Sequence, residues 1–215
     1  MHHSIHPEIA KELHKEILAD SHNTWFHPKG RFGHFDGAYM KFINRNLNYF
    51  SFDTMIAHAH DPFPEYNPNL KKTRQFCEDM RGLLNEPGPF GRMCFWKIPP
   101  RAAILRHWDN WPYHRSITRY IFCISTESEK ADIIIDDKSL EFPVTQGTLF
   151  NFYPSWQYHS FTNNTDNDWY FLGFDYWVLD KLAAASVGVD IDAINNDTSR
   201  FESFGVNHHK YQSIH

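Results

Sequence analysis

A chain of 215 residues is long enough for one domain with a sizeable core and short for two, so a single domain over 1–215 is expected. Apolar residues make up 41% and charged residues 22%, and no apolar run is long enough to cross a bilayer, which argues against a membrane partner. A net charge of -5 argues against nucleic acid, because neutralising a phosphate backbone takes clustered Lys and Arg.

The opening stretch MHHSIHPEIAKELHKEILAD has no continuous apolar core and no small-residue cleavage pattern, so neither a signal nor a transit peptide is read and the cytoplasm is the expected compartment. Residues 8–19 place Ile9, Leu13, Ile17 and Leu18 at helical spacing behind Pro7, which suits a helix start. From about 22 to 66 the chain is aromatic and rich in turn residues, which predicts an outer layer of loops and short strands. A second helix is predicted over 68–85, capped by Asn69 and stopped by Pro87-Gly88-Pro89.

The pattern then changes to short β runs at 92–98, 102–108, 119–125, 131–136, 147–152, 157–163 and 169–178. Seven strands so closely spaced predict a sandwich or barrel. The tail, 179–215, begins helically with LDKLAAASVG and ends in a polar stretch whose His208, His209 and His215 read as exposed tail residues. Cys77, Cys94 and Cys123 are far apart and form no CxxC, so they read as packing residues rather than a disulfide framework or a zinc knuckle.

Aromatic residues at 17% and fifteen histidines exceed what a core of this size requires. The stretch ILRHWDNW, 104–111, puts His107 and Asp109 two apart at the end of an apolar run, so on a strand both project to one face. An Fe(II) centre that activates oxygen wants two neutral imidazoles and one carboxylate on one side of the metal, with the other positions open. His159 is the leading second histidine, since a folded sheet can return it beside the first strand. His58 and His60 near Asp61, and His114, are the competitors.

Taken together, AAILRHWD, QGTLFNF and HSFTNNTDNDWYFLGFDYW resemble the aspartyl/asparaginyl β-hydroxylase family of Fe(II)/2-oxoglutarate oxygenases over about residues 95 to 178. The resemblance implies a mainly β fold, a double-stranded β-helix (jelly roll). Its core would span about 92–178, with helical and loop elements over 1–91 and a C-terminal helix and tail over 179–215. It places the metal ligands at His107, Asp109 and His159, and sets Phe161, Asn163, Asp175 and Trp177 at the family's downstream spacings. It implies Fe(II) and 2-oxoglutarate as cofactors and O2 with a small-molecule or peptide substrate as partners. 2-Oxoglutarate would be decarboxylated to succinate while the substrate is hydroxylated. Related halogenases lack the carboxylate ligand, so Asp109 favours hydroxylation.

The family's usual 2-oxoglutarate arginine, ten residues past the second histidine, falls here on Trp169. A dicarboxylate needs a charge-assisted partner, which directs attention to Arg119 and Arg115 on the strand and turn after the HxD, as in jelly-roll oxygenases of the JmjC-like group. Arg119 leads, because a charge starting an apolar strand and pointing into a barrel needs an anionic partner. Trp108, Trp111, Tyr113, Tyr120, Tyr153, Trp156 and Tyr158 could shape the pocket. The same ligand set also suits a zinc-dependent hydrolase or a non-catalytic metal-binding jelly roll.

Overall fold

A computed structural model describes residues 2–21, 25, 27, 33–42, 69–84, 90–109, 117–126, 131–154 and 157–177. In chain order the elements are β1 (His2–Ser4), α1 (Pro7–Ala19), β2 (Phe35–Asp36), β3 (Tyr39–Phe42), α2 (Lys71–Leu83), β4 (Phe90–Ile98), β5 (Ala103–His107) and β6 (Ile117–Ser125). They continue with β7 (Ala131–Ile135), β8 (Lys138–Ser139), β9 (Thr148–Phe152), β10 (His159–Asn163) and β11 (Trp169–Trp177). The strands form a six-stranded sheet, β1-β9-β6-β11-β4-β3, and a five-stranded sheet, β2-β5-β10-β7-β8. From β4 onward the chain passes back and forth between the two, with β4, β6, β9 and β11 in one and β5, β7, β8 and β10 in the other. That alternation is a double-stranded β-helix, a jelly roll.

Two core layers follow from this arrangement. Between the sheets lie Cys94, Trp96, Ile121, Cys123, Phe150, Phe152, Phe161, Trp169 and Phe171, among others. On the other face of the larger sheet, Phe95, Phe122, Leu172 and Phe174 pack against Leu13, Ile17, Phe76 and Met80 of the helices. β6 therefore has a covered neighbour on both faces, which is why it reads ITRYIFCIS with no polar alternation. β10 alternates instead, with His159, Phe161 and Asn163 buried and Ser160 and Thr162 half-buried.

The helices are set by more than their apolar stripe. α1 buries Ala10, Leu13 and Ile17, a narrower face than the sequence predicts, and leaves Ile9 and Leu18 exposed. Asn69 does not cap α2. Leu70 occupies the cap position without a side-chain bond, and Glu16 of α1 reaches across instead. Its carboxylate accepts from the Lys72 and Thr73 amides, both at 2.8 Å, and from the Thr73 hydroxyl. A carboxylate there satisfies orphan amide donors and complements the positive helix end. At the C-terminal end of α1, buried Lys41 of β3 donates to the Asp20 carbonyl at 2.8 Å and pairs with the Asp20 carboxylate at 2.9 Å.

Two turns fix the register of the core strands. Asn163 is fully buried and donates to the Ile98 and Asn167 carbonyls, while its own oxygen accepts from the Thr165 amide and hydroxyl. This closes the β10–β11 connection. Before β9, Gly147 has φ +92 and bonds Ile5 through its carbonyl and Cys123 through its amide. A Cβ there would collide with the Ile5 carbonyl, so glycine is what lets β1 dock on β9. The predicted C-terminal helix and histidine tail lie outside the described residues. Among the described residues no helix is long and apolar enough to cross a membrane.

Candidate metal centre

His107 ends β5 and His159 opens β10, and the two stand directly opposite each other on neighbouring antiparallel strands. Their ring centroids are 4.2 Å apart. The β5–β10 register shifts between His159 and Phe161, so the irregular step falls at the site itself. Asp109 follows β5, with its amide bonded to the Pro154 carbonyl at 2.8 Å. One donor atom from each of His107, Asp109 and His159 lies within 4.8 Å of the other two, a group that could hold a metal ion.

The histidine tautomers are set by the backbone. His107 Nδ1 lies 2.7 Å from the Leu105 carbonyl and His159 Nδ1 3.1 Å from the Gln157 carbonyl, so in each ring Nδ1 carries the proton and Nε2 carries the free lone pair. Gln157 is itself fixed, since its amide donates to the Tyr153 carbonyl and its side-chain oxygen accepts from the Tyr153 amide. Phe152 packs 4.6 Å from His159. His34, which the sequence reading passed over, stacks on His107 at 3.6 Å and 13°. A histidine just before a short strand carries no local pattern that would single it out.

Burial pushes the His159 imidazole down to about 3, against the partial opposition of Asp109, and pushes His34 down to about 4, with His107 adding to the effect. Both rings are therefore neutral near pH 7. An unfolded chain takes up these protons near 6.5 while the folded chain does not, so the stability of the metal-free protein falls as pH drops below about 6.5. The buried His159 ring contributes a slope of up to about 1.4 kcal/mol per pH unit until its folded value is reached, and the more exposed, solvent-screened His34 contributes less. Urea unfolding in chelator at pH 7.5 and 5.5 tests this, and equal midpoints would contradict it.

Arg119 lies on β6 opposite Asp175 of β11 and is 2% exposed. Its Nε and Nη2 donate to the two Asp175 oxygens at 2.8 and 3.0 Å, and its Nη1 donates to Asp109 Oδ2 at 2.7 Å. Burial works against the guanidinium charge, and the two carboxylates overcome it, so its pKa is raised. The expected anionic partner of this inward arginine thus includes two carboxylates of the chain itself. Trp169 is fully buried between the sheets, edge-on to Phe171, and among the described residues neither its indole N–H nor that of Trp96 has a partner. Arg115, the competing His58, His60 and His114, and Trp111, Tyr113 and Trp156 lie outside the described residues. Of the other aromatic residues, Tyr120 packs under the helices, Tyr153 is half-buried, and Trp108 and Tyr158 are exposed 6.2 Å apart.

No family model and no curated protein matches the chain. Solved structures do. A prolyl hydroxylase from Trichoplax adhaerens, in complex with a hypoxia inducible factor oxygen degradation domain peptide fragment, superposes with a TM-score of 0.55 at 10% identity, covering 85% of this chain and 83% of that one. A Pseudomonas putida prolyl-4-hydroxylase gives 0.47 at 12% identity, covering 82% and 91%. A cupin domain from Schizosaccharomyces pombe gives 0.35 at 12% identity, covering 46% and 63%. The chain thus shares the jelly-roll fold of the Trichoplax prolyl hydroxylase, in agreement with its strand order.

Proposed function

We propose that the protein is an Fe(II)- and 2-oxoglutarate-dependent dioxygenase that hydroxylates an amino acid, a peptide side chain or another small metabolite. The observation that carries this reading is the donor cluster of two imidazoles and one carboxylate at the end of a double-stranded β-helix. Such a set suits non-haem Fe(II) with positions left for a chelating 2-oxoacid and O2. The bound iron and cosubstrate supply the oxidative chemistry, with 2-oxoglutarate converted to succinate and carbon dioxide.

The chain's own residues hold and orient. His107 and His159 present Nε2 because the Leu105 and Gln157 carbonyls occupy Nδ1–H. Asp109 supplies the anionic ligand. Phe152, Phe161 and Trp96 line the interior side, where they exclude water. The buried Trp169 N–H, without an acceptor among the described residues, would offer the far carboxylate of the cosubstrate a neutral donor. A peptide substrate has additional support from the peptide-bound Trichoplax hydroxylase, and exposed Trp108 and Tyr158 offer it flat aromatic surface beside the ligands.

Anaerobic addition of Fe(II) and 2-oxoglutarate should produce the visible charge-transfer band of the chelate, and oxygen should then yield succinate. Absence of both the band and succinate would defeat the reading. A metal-loaded protein that consumes no 2-oxoglutarate would return the zinc hydrolase and the non-catalytic metal protein to first place.

A further inference from the structure

Three buried charges meet beside the donor cluster, and two of them belong to none of the proposed ligands. Arg119 and Asp175 are 2% and 1% exposed, and Asp109 is 9% exposed. Removing such groups from water is costly, and a buried ion pair is weak evidence of a purely stabilising role. Their geometry accounts for them in another way. Asp175 grips Nε and Nη2 of Arg119 with both oxygens, which fixes the guanidinium plane and aims the remaining nitrogen, Nη1, at Asp109 Oδ2. The other oxygen of that carboxylate, Oδ1, faces His107 Nε2 at 3.4 Å.

We infer that Arg119 and Asp175 form a positioning clamp: it holds Asp109 by one oxygen and presents the other to the metal as a single-oxygen ligand. The clamp rests on the metal-centre reading above. Asp109 lies outside any strand, and the bond from Arg119 Nη1 engages its Oδ2 while its Oδ1 faces His107 Nε2. The triad as a whole carries one net negative charge, which suits a divalent cation. It also assigns Arg119 to the protein's own carboxylates instead of to the cosubstrate.

The test measures metal binding, and then 2-oxoglutarate binding to the metal-loaded protein, without turnover. Asp175→Asn keeps the shape and removes the charge that fixes Arg119. The double variant Arg119→Met with Asp175→Leu removes both charges and leaves no buried arginine to unfold the chain. In each, Mn(II) or Co(II) affinity by calorimetry should fall about 10- to 100-fold. The visible spectrum of the Co(II) form should change as the Asp109 coordination changes. A folded variant with wild-type affinity and an unaltered Co(II) spectrum overturns the clamp. So does a variant in which metal binding is intact and only 2-oxoglutarate affinity falls, since Arg119 would then be the cosubstrate anchor. A wild-type protein that binds no divalent ion removes the metal centre and the clamp with it, whereas wild-type binding with unaffected variants removes the clamp alone.

Discussion

His159→Ala should abolish metal binding and, with it, the 2-oxoglutarate charge-transfer band and succinate formation. Loss of a partner hydrogen-bonded to a ligand costs about 10- to 100-fold in metal affinity, and removal of one of the three proposed ligands should exceed that. The reason is positional. His159 stands opposite His107 across the β5–β10 pair, so Nε2 of one ring has no substitute from the other strand. Calorimetric titration with Fe(II) or Mn(II) checks the loss, and wild-type affinity in the variant would remove His159 from the site. The same variant should be less sensitive to acid than the wild type in chelator, because it lacks the imidazole that burial holds down to about 3.

Phe161→Ala is the substitution expected to cost most in stability, about 3–5 kcal/mol. Phe161 is fully buried two residues beyond His159 on the inward face of β10. Its ring meets Phe171 at 5.7 Å, Trp96 at 5.8 Å and Phe152 at 6.5 Å, so it joins strands of both sheets. Truncation leaves a cavity that the paired backbones on either side cannot close. The urea midpoint should fall with the slope unchanged. A loss under about 1 kcal/mol would mean that the two sheets can draw together there.

Much of this was legible in the residues because burial writes a strong local pattern. The seven predicted β runs match β4, β5, β6, β7, β9, β10 and β11 within two residues at each end. β1 and β8 escaped because strands of three and two residues are too short to show alternation, and they exist through pairing with β9 and β7. The Glu16 cap on α2 and the Lys41 contact with α1 escaped for a related reason: each partner is supplied by a distant element. His107, Asp109 and His159 were readable as a set by spacing and family likeness, and their donor atoms do gather. The partnership of Arg119 with Asp175 spans 56 positions. Its one sequence signal is that each is the lone charge within a strongly apolar strand, and strand register decides that the two meet.

The cysteines have a use of their own. Cys77 sits on α2 in the layer beneath the helices, while Cys94 and Cys123 lie between the sheets, and all three are buried and outside any disulfide. Burial raises the Cys77 and Cys123 thiols, so they meet a disulfide reagent only when their own layer opens. The protein therefore carries two internal clocks. The labelling rate at Cys77 times the lifting of the helices, and the rates at Cys94 and Cys123 time the parting of the two sheets, one of which carries the candidate metal centre.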